Sequence, residues 1–290
     1  MKVDQQEVIE PGRTSEDPSP ELRFRREMHF VGSFRDLWRV RELVRTLAER
    51  DLRARYKQAA LGMMWAVLTP LALMLVFTLF LQRVAKFDTG GVPYALFSYL
   101  GLLPWTFFST SVSIGGQSLV SNSTLLNKVY CPREVFPLAS VVAAGFDMAV
   151  AALVLAVLFA ISGFAPKATA VWVPVLLPIQ ILFTISITLI VSSVLVYLRD
   201  LRHVLPIVLQ LGLFASPVAY GMSVIPSSFR GIYSAINPLA AVIDSYRRTV
   251  LLGLPPDWKL LAPAAATTVV LFAVAYTFFK RMETGFADVA

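Results

Sequence analysis

Residues 136–162 read FPLASVVAAGFDMAVAALVLAVLFAIS and contain one charged residue, Asp147. Crossing the roughly 30 Å hydrocarbon core of a bilayer takes about 20 residues of helix, and this stretch is long enough. Five more apolar blocks surround it. They are Leu61–Leu81, which holds no charge, Ala95–Val120, Val171–Tyr197, the shorter His203–Tyr220, and Leu260–Phe279. A soluble protein of 290 residues has room for one or two such helices, not six. The hydrophobic fraction of 56% agrees, since soluble domains lie near about 45–50%. The expectation is an all-α integral membrane protein with six transmembrane helices.

The formal net charge of +7 invites a nucleic-acid reading, but its distribution argues against one. The first 57 residues carry 13 of the 26 Lys and Arg, and most of the others flank apolar blocks. Cytoplasmic loops of membrane proteins are enriched in Lys and Arg. With the N-terminus inside, the inner segments hold 19 Lys and Arg and the outer ones seven. Both termini are then cytoplasmic and the number of spans is even. The first 30 residues are polar, with no apolar core of a signal peptide, so insertion is expected to use the first span. Cys131 is the single cysteine, which leaves no intrachain disulfide.

Residues 1–32 are rich in Glu, Asp, Pro, Ser and Arg and are expected to be a disordered cytoplasmic tail. Ser33 and Asp36 mark a helix start. Leu37, Val40, Leu43, Val44, Leu47 and Ala48 then fall on one helical face. Residues 33–59 therefore read as an amphipathic interfacial helix. A solvated helix packed on a partner is the alternative. The face is interrupted at Asp51 and Arg55, where the helix is expected to leave the membrane surface. The transmembrane domain follows over 60–282, and residues 283–290 form a cytoplasmic C-terminus.

The segment before the last span is apolar but broken. Asn237-Pro238 places an N-cap residue before a proline at the first helical position. Leu239, Val242, Ile243, Tyr246 and Val250 make one apolar face, and Gly253 is placed to end the helix. About 15 residues give about 22 Å, too short to span. Pro226–Ala235 is expected to form a second short helix. Two short re-entrant helices in the outer leaflet are the economical reading. An ordinary amphipathic outer loop is the alternative.

Several chemistries lack their residues. The P-loop pattern G-x-x-x-x-G-K-[ST] is absent. The two histidines, His29 and His203, make no metal cluster. Paired intramembrane carboxylates for acid–base work are missing. Asp147 reads as a residue near the midplane, neutral or hydrogen-bonded to a neighbour such as Gln180, with a single-residue proton relay as the alternative. Gly115-Gly116 reads as a pair that could loosen the second span. Between the second and third spans, residues 122–137 end in charged residues between Pro132 and Pro137. This reads as a rigid protruding knob, with a plain connecting loop as the alternative.

Four segments resemble the ABC-2 type permeases that export cell-surface polysaccharides such as O-antigen, teichoic acid and galactan. They are Arg50–Lys57 running on to Leu61-Gly62, Trp65 and Pro70; Asn127–Glu134; Tyr197–His203 followed by Ser216–Tyr220; and Asn237-Pro238 through Tyr246-Arg247. Their order and spacing cover roughly residues 45–285. The chain departs from the family pattern at Ala60, often Ser, and at Cys131, often Phe.

The resemblance implies a subunit without its own ATPase, in the bacterial inner membrane. It implies a homodimer and a separate cytoplasmic ABC ATPase dimer that binds ATP and Mg. The implied substrate is a polyprenyl-diphosphate-linked glycan. The coupling element implied is the 122–137 loop, with Asn127, Lys128, Tyr130, Pro132, Arg133 and Glu134 at the ATPase. Residues 226–252 resemble gate helices, with Pro226, Asn237, Pro238, Tyr246 and Arg247 as their markers. Trp65, Phe77, Trp105, Phe108 and Phe214 are candidates to line the channel, against the alternative of lipid-facing or packing use. Arg53, Arg55 and Lys57 are candidates to meet the lipid diphosphate, against the alternative of plain positive-inside anchoring. An ABC-2 efflux permease for a drug or lipid shares these features. An ion-coupled carrier would need several intramembrane charges, and a passive scaffold would bind no ATPase.

Overall fold

A computed structural model describes residues 40–57, 62–82, 91–123, 125, 131–283 and 285–286. The N-terminal tail, the Ser33–Asp36 helix start, and Asn127, Lys128 and Tyr130 lie outside the described residues. Among those described, every regular element is a helix. Lipid offers no partners for backbone polar groups, so a helix, which satisfies its own, is the natural spanning element.

Helix α1 (Arg41–Tyr56) precedes the bundle. Helix α2 (Trp65–Phe77) follows a 3-10 turn at Gly62–Met64 and widens into a π-turn at Thr78–Gln82. Next come α3 (Tyr94–Ser121), α4 (Val135–Ser162), α5 (Val173–Tyr197) and the 15-residue α6 (Leu201–Ala215). A hairpin of α7 (Ser227–Ile236) and α8 (Pro238–Val250) leads to α9 (Trp258–Glu283). Five of these segments are long and apolar enough to cross a membrane, and α6 is a shorter apolar helix. The chain is thus a multi-pass, all-α membrane protein.

Helix α3 is the central element and packs on α4, α5 and α8. It runs unbroken through Gly115 and Gly116, which corrects the expectation that this pair loosens it. The glycines instead admit α5: a Cβ on Gly115 would lie 2.5 Å from Thr188 Cγ2, and one on Gly116 2.6 Å from Val191 Cγ1. The hairpin helix α8 wedges between α3, α5 and α9, while α7 lies on α9.

Helix α1 continues past Asp51 and Arg55 to Tyr56 and packs along α4. Leu47 and Ala48 share a cluster with Phe136, Ala139 and Ala143, and Arg55 reaches Asp147. Helix α4 has 28 residues, or about 42 Å, roughly 12 Å more than the hydrocarbon core. The exposed charges of α1 cannot lie in hydrocarbon, so the overhang is at this end. Asp147, about 18 Å along α4, then lies roughly 6 Å inside the hydrocarbon boundary, short of the midplane.

Candidate functional site

Three polar constellations interrupt the apolar bundle. The first lies where α4 begins. Glu134 occupies the N-cap position of α4 and is 2% exposed. Its Oε2 is 2.8 Å from Lys280 Nζ, on the last turns of α9, and the same ammonium is 2.9 Å from Glu283 Oε2. Arg133 donates from its guanidinium to the Glu283 carbonyl. That carbonyl is one of the four at a helix end with no partner inside the helix. Tyr197, the last residue of α5, donates to the Met282 carbonyl at 3.0 Å. Phe286 closes the cluster: it is buried, T-stacked on Phe279 at 5.7 Å, and lies under Arg133. Pro132 precedes these residues in the turn that starts α4. Glu134, read from sequence as a contact for a partner, has its carboxylate turned inward to Lys280.

The second constellation is the hairpin. Pro226 starts α7, Asn237 joins α7 to α8, and Pro238 is the first residue of α8. Asn237 does not cap α8 with its side chain. Its amide donates to Ser216 Oγ at 2.9 Å, tying the hairpin to the turn after α6. Tyr246 donates to Gln180 Oε1 at 2.9 Å. Gln180 therefore pairs with Tyr246 and Met148, not with Asp147. Arg247 is 2% exposed. It donates to four carbonyls: Phe97 (3.1 Å), Pro217 (2.6 Å), Tyr220 (2.7 Å) and Val218. Its guanidinium also stacks 3.7 Å from the Phe97 ring. Gly101 makes the room, because a Cβ there would lie 2.3 Å from Arg247 Nη2.

The third is a cavity of about 380 Å³ between the end of α1 and helices α2, α3 and α4. Arg55, Tyr56 and Asp147 form its charged wall. Arg55 donates to Asp147 Oδ2, and Tyr56 donates to Oδ1 at 2.7 Å. Burial, with the Asp147 carboxylate beside it, pushes the Tyr56 phenol up to about 12, so it stays a donor. Trp65, Trp105, Thr106 and Ser109 also line the space.

The aromatic channel candidates separate. Phe77 and Phe108 are buried in the apolar core of the bundle, Phe108 stacking on Phe183 at 5.5 Å. Trp105 is buried too, but lines the cavity with Trp65. Trp65 and Phe214 are more than half exposed. Of the entrance cations, Arg53 and Lys57 are exposed, while Arg55 is held by Asp147.

Sequence reasoning missed the Lys280 cluster, the carbonyl cage of Arg247, and the Arg55–Asp147 pair. Two of these left a signal. Arg247 falls four residues after Ile243 and three before Val250, on the apolar face of α8. Arg55 interrupts the apolar face of α1 as Asp147 interrupts α4.

Apolar spanning helices, a hairpin of two short helices before the last of them, and a turn at Pro132 tied to the last turn of α9 define a multi-pass helical membrane protein. The chain belongs to the ABC-2 type transporter family, whose profile matches residues 42–251. It is 34% identical over 255 residues to the O-antigen export system permease protein RfbA of Myxococcus xanthus, covering 88% of this chain and 97% of the relative. The protein of the same name from Klebsiella pneumoniae is 27% identical over 86% of this chain and 95% of its own length. The polysialic acid transport protein KpsM of Escherichia coli is 23% identical, over 83% of this chain and 93% of the relative.

Proposed function

We propose that this chain is the membrane subunit of an ATP-driven exporter that moves a lipid-linked cell-surface polysaccharide of the O-antigen type out of the cytoplasm. The observation that carries this reading is likeness to an O-antigen permease along nearly the whole of both chains. The fuel is supplied by a separate ABC ATPase dimer that holds ATP and Mg. Two copies of the permease pair in the bacterial inner membrane, with both termini cytoplasmic. The 122–137 loop, with Asn127, Lys128, Tyr130, Pro132, Arg133 and Glu134, engages the ATPase, and residues 226–252 gate the outer mouth.

Side-chain exposure favours some of the candidate substrate contacts over others. Trp65 and Phe214 lie on the exposed faces of α2 and α6, where a pore between two copies would find them. Rings offer apolar area of fixed orientation to sugar faces. Arg53 and Lys57 remain open to a polyprenyl diphosphate at headgroup level.

Depletion of the chain tests the reading. A lipid-linked glycan should accumulate on the cytoplasmic side while the surface loses polymer. An intact surface, with sensitisation to a small toxic compound, would point to an ABC-2 efflux permease instead.

A further inference from the structure

The coupling turn and the last span are far apart in sequence, yet Arg133 and Glu134 grip the final turn of α9 through three polar contacts. One runs from Lys280 to Glu134, and two run from Arg133 to Glu283; Lys280 also pairs with Glu283 within α9. Both ends of the grip favour their charges. Glu134 stands at the positive N-terminus of α4, and Lys280 near the negative C-terminus of α9. The Glu134 carboxylate is 2% exposed and the Lys280 side chain 15%, so solvent screens the pair weakly. Around them Phe279, Phe286 and Tyr197 pack the ends of α5 and α9 together, and Leu47 and Ala48 bring in α1. A push on the turn thus has two routes inward. One is covalent, into α4. The other crosses this clamp into α9, α5 and α1.

Granted the exporter reading above, we infer that Lys280 is a positioning residue for energy coupling: by bridging Glu134 and Glu283 it makes the coupling turn and the last span move as one body. Helix α9 is the helix on which α7 lies and against which α8 packs. The clamp therefore joins the ATPase end of the molecule to the gate hairpin through a single continuous helix. A chain of packed elements of this kind transmits force only while its joints hold.

The test uses the full permease with its ATPase, reading polymer exported per ATP hydrolysed. Lys280→Met keeps the bulk and removes the charge. The ATPase should stay bound and hydrolysis continue, while export per ATP falls about five- to a hundred-fold, the range of ordinary coupling energies. Lys280→Arg should hold the ratio near that of the unsubstituted protein. An unchanged ratio in Lys280→Met overturns the inference, and so does loss of the ATPase as its first effect, since that would make the cluster a docking surface. If Lys280→Met does not fold, a reducible cross-link decides. Cys131 and Met282 both pack against the same cluster, so in Met282→Cys a reducible thiol-specific cross-linker, tried at several lengths, ties the turn to α9 and releases it in one protein. Export should be equal in the tied and released forms, and arrest on tying, relieved by reductant, overturns the single-body claim. A native permease that binds no ATPase would remove the exporter reading itself. That result is distinct from a native complex that exports and a Lys280→Met complex that exports as efficiently.

Discussion

The two ends of this molecule bury cations in opposite ways. At the hairpin end, Arg247 is surrounded by backbone carbonyls, four dipoles fixed in place by α3 and the turn after α6. At the foot, Lys280 faces two carboxylates carried on side chains. A planar guanidinium with five donors suits several fixed acceptors at once, whereas a compact ammonium suits a pair of anions. The carbonyl cage holds one shape, because its acceptors cannot move without unfolding the turn. The carboxylate clamp can be made and broken by rotating side chains. The cage is the joint that no single rotation opens, and the clamp is one that a single substitution can release; in the coupling inferred above both stay closed.

Removing the cage should have the largest effect. Arg247→Met takes the donor from the carbonyls of Pro217, Val218 and Tyr220, at about 1–3 kcal/mol each, while the Phe97 carbonyl keeps its bond within α3. The folded protein should be nearly lost, measured as the monodisperse fraction after detergent extraction. Arg247→Lys should recover part of it, since three donors cannot serve four directions. Glu134→Gln comes next. It keeps the shape but removes a charge-assisted bond, at about 1–3 kcal/mol, and should lower the unfolding temperature by several degrees while the folded yield survives. If both substitutions proved equally mild, the contrast between the ends would collapse.

Asp147→Asn should cost about 1 kcal/mol, between an exposed and a buried pair. Asp147 keeps an oxygen for Tyr56 in this variant but loses its hold on Arg55. Hydrogen exchange should quicken in α1 and leave α8 unchanged. At the surface of α1, Arg45 and Glu49 form an i,i+4 pair at 3.0 Å with 81% and 46% exposed side chains. Exposed pairs of this kind contribute well under about 1 kcal/mol. Glu49→Gln should therefore shift the unfolding temperature by less than about a degree.

The spans were legible because lipid imposes one rule over about 20 residues at a time. Helix α4 begins one residue before the apolar block that opened the reading, and ends with it. The hairpin was legible from Asn237-Pro238 and the spacing of Leu239, Val242, Ile243, Tyr246 and Val250. What stayed hidden was pairing across elements. Nothing local links Glu134 to Lys280, 146 residues away, or Arg247 to Phe97, 150 away. Depth was misread for a related reason. Asp147 looked central when α4 was measured alone, and only α1 beside it shows that this end of α4 overhangs the hydrocarbon. The aromatic residues divided in the same manner: Phe77 and Phe108 fill the core, Trp65 and Phe214 do not, and spacing along one helix cannot tell which.

Helix α6 carries a consequence for the surrounding lipid. Its 15 residues reach about 22 Å, against roughly 30 Å for an ordinary hydrocarbon layer, and its exposed face is Val204, Ile207, Val208, Leu211 and Phe214. In a lone copy, acyl chains bordering that face would have to compress to match it, dimpling the bilayer along this flank. Hydrophobic mismatch makes such a surface sensitive to chain length: thicker membranes should penalise it, and a second deformed flank brought alongside would relieve the strain of both.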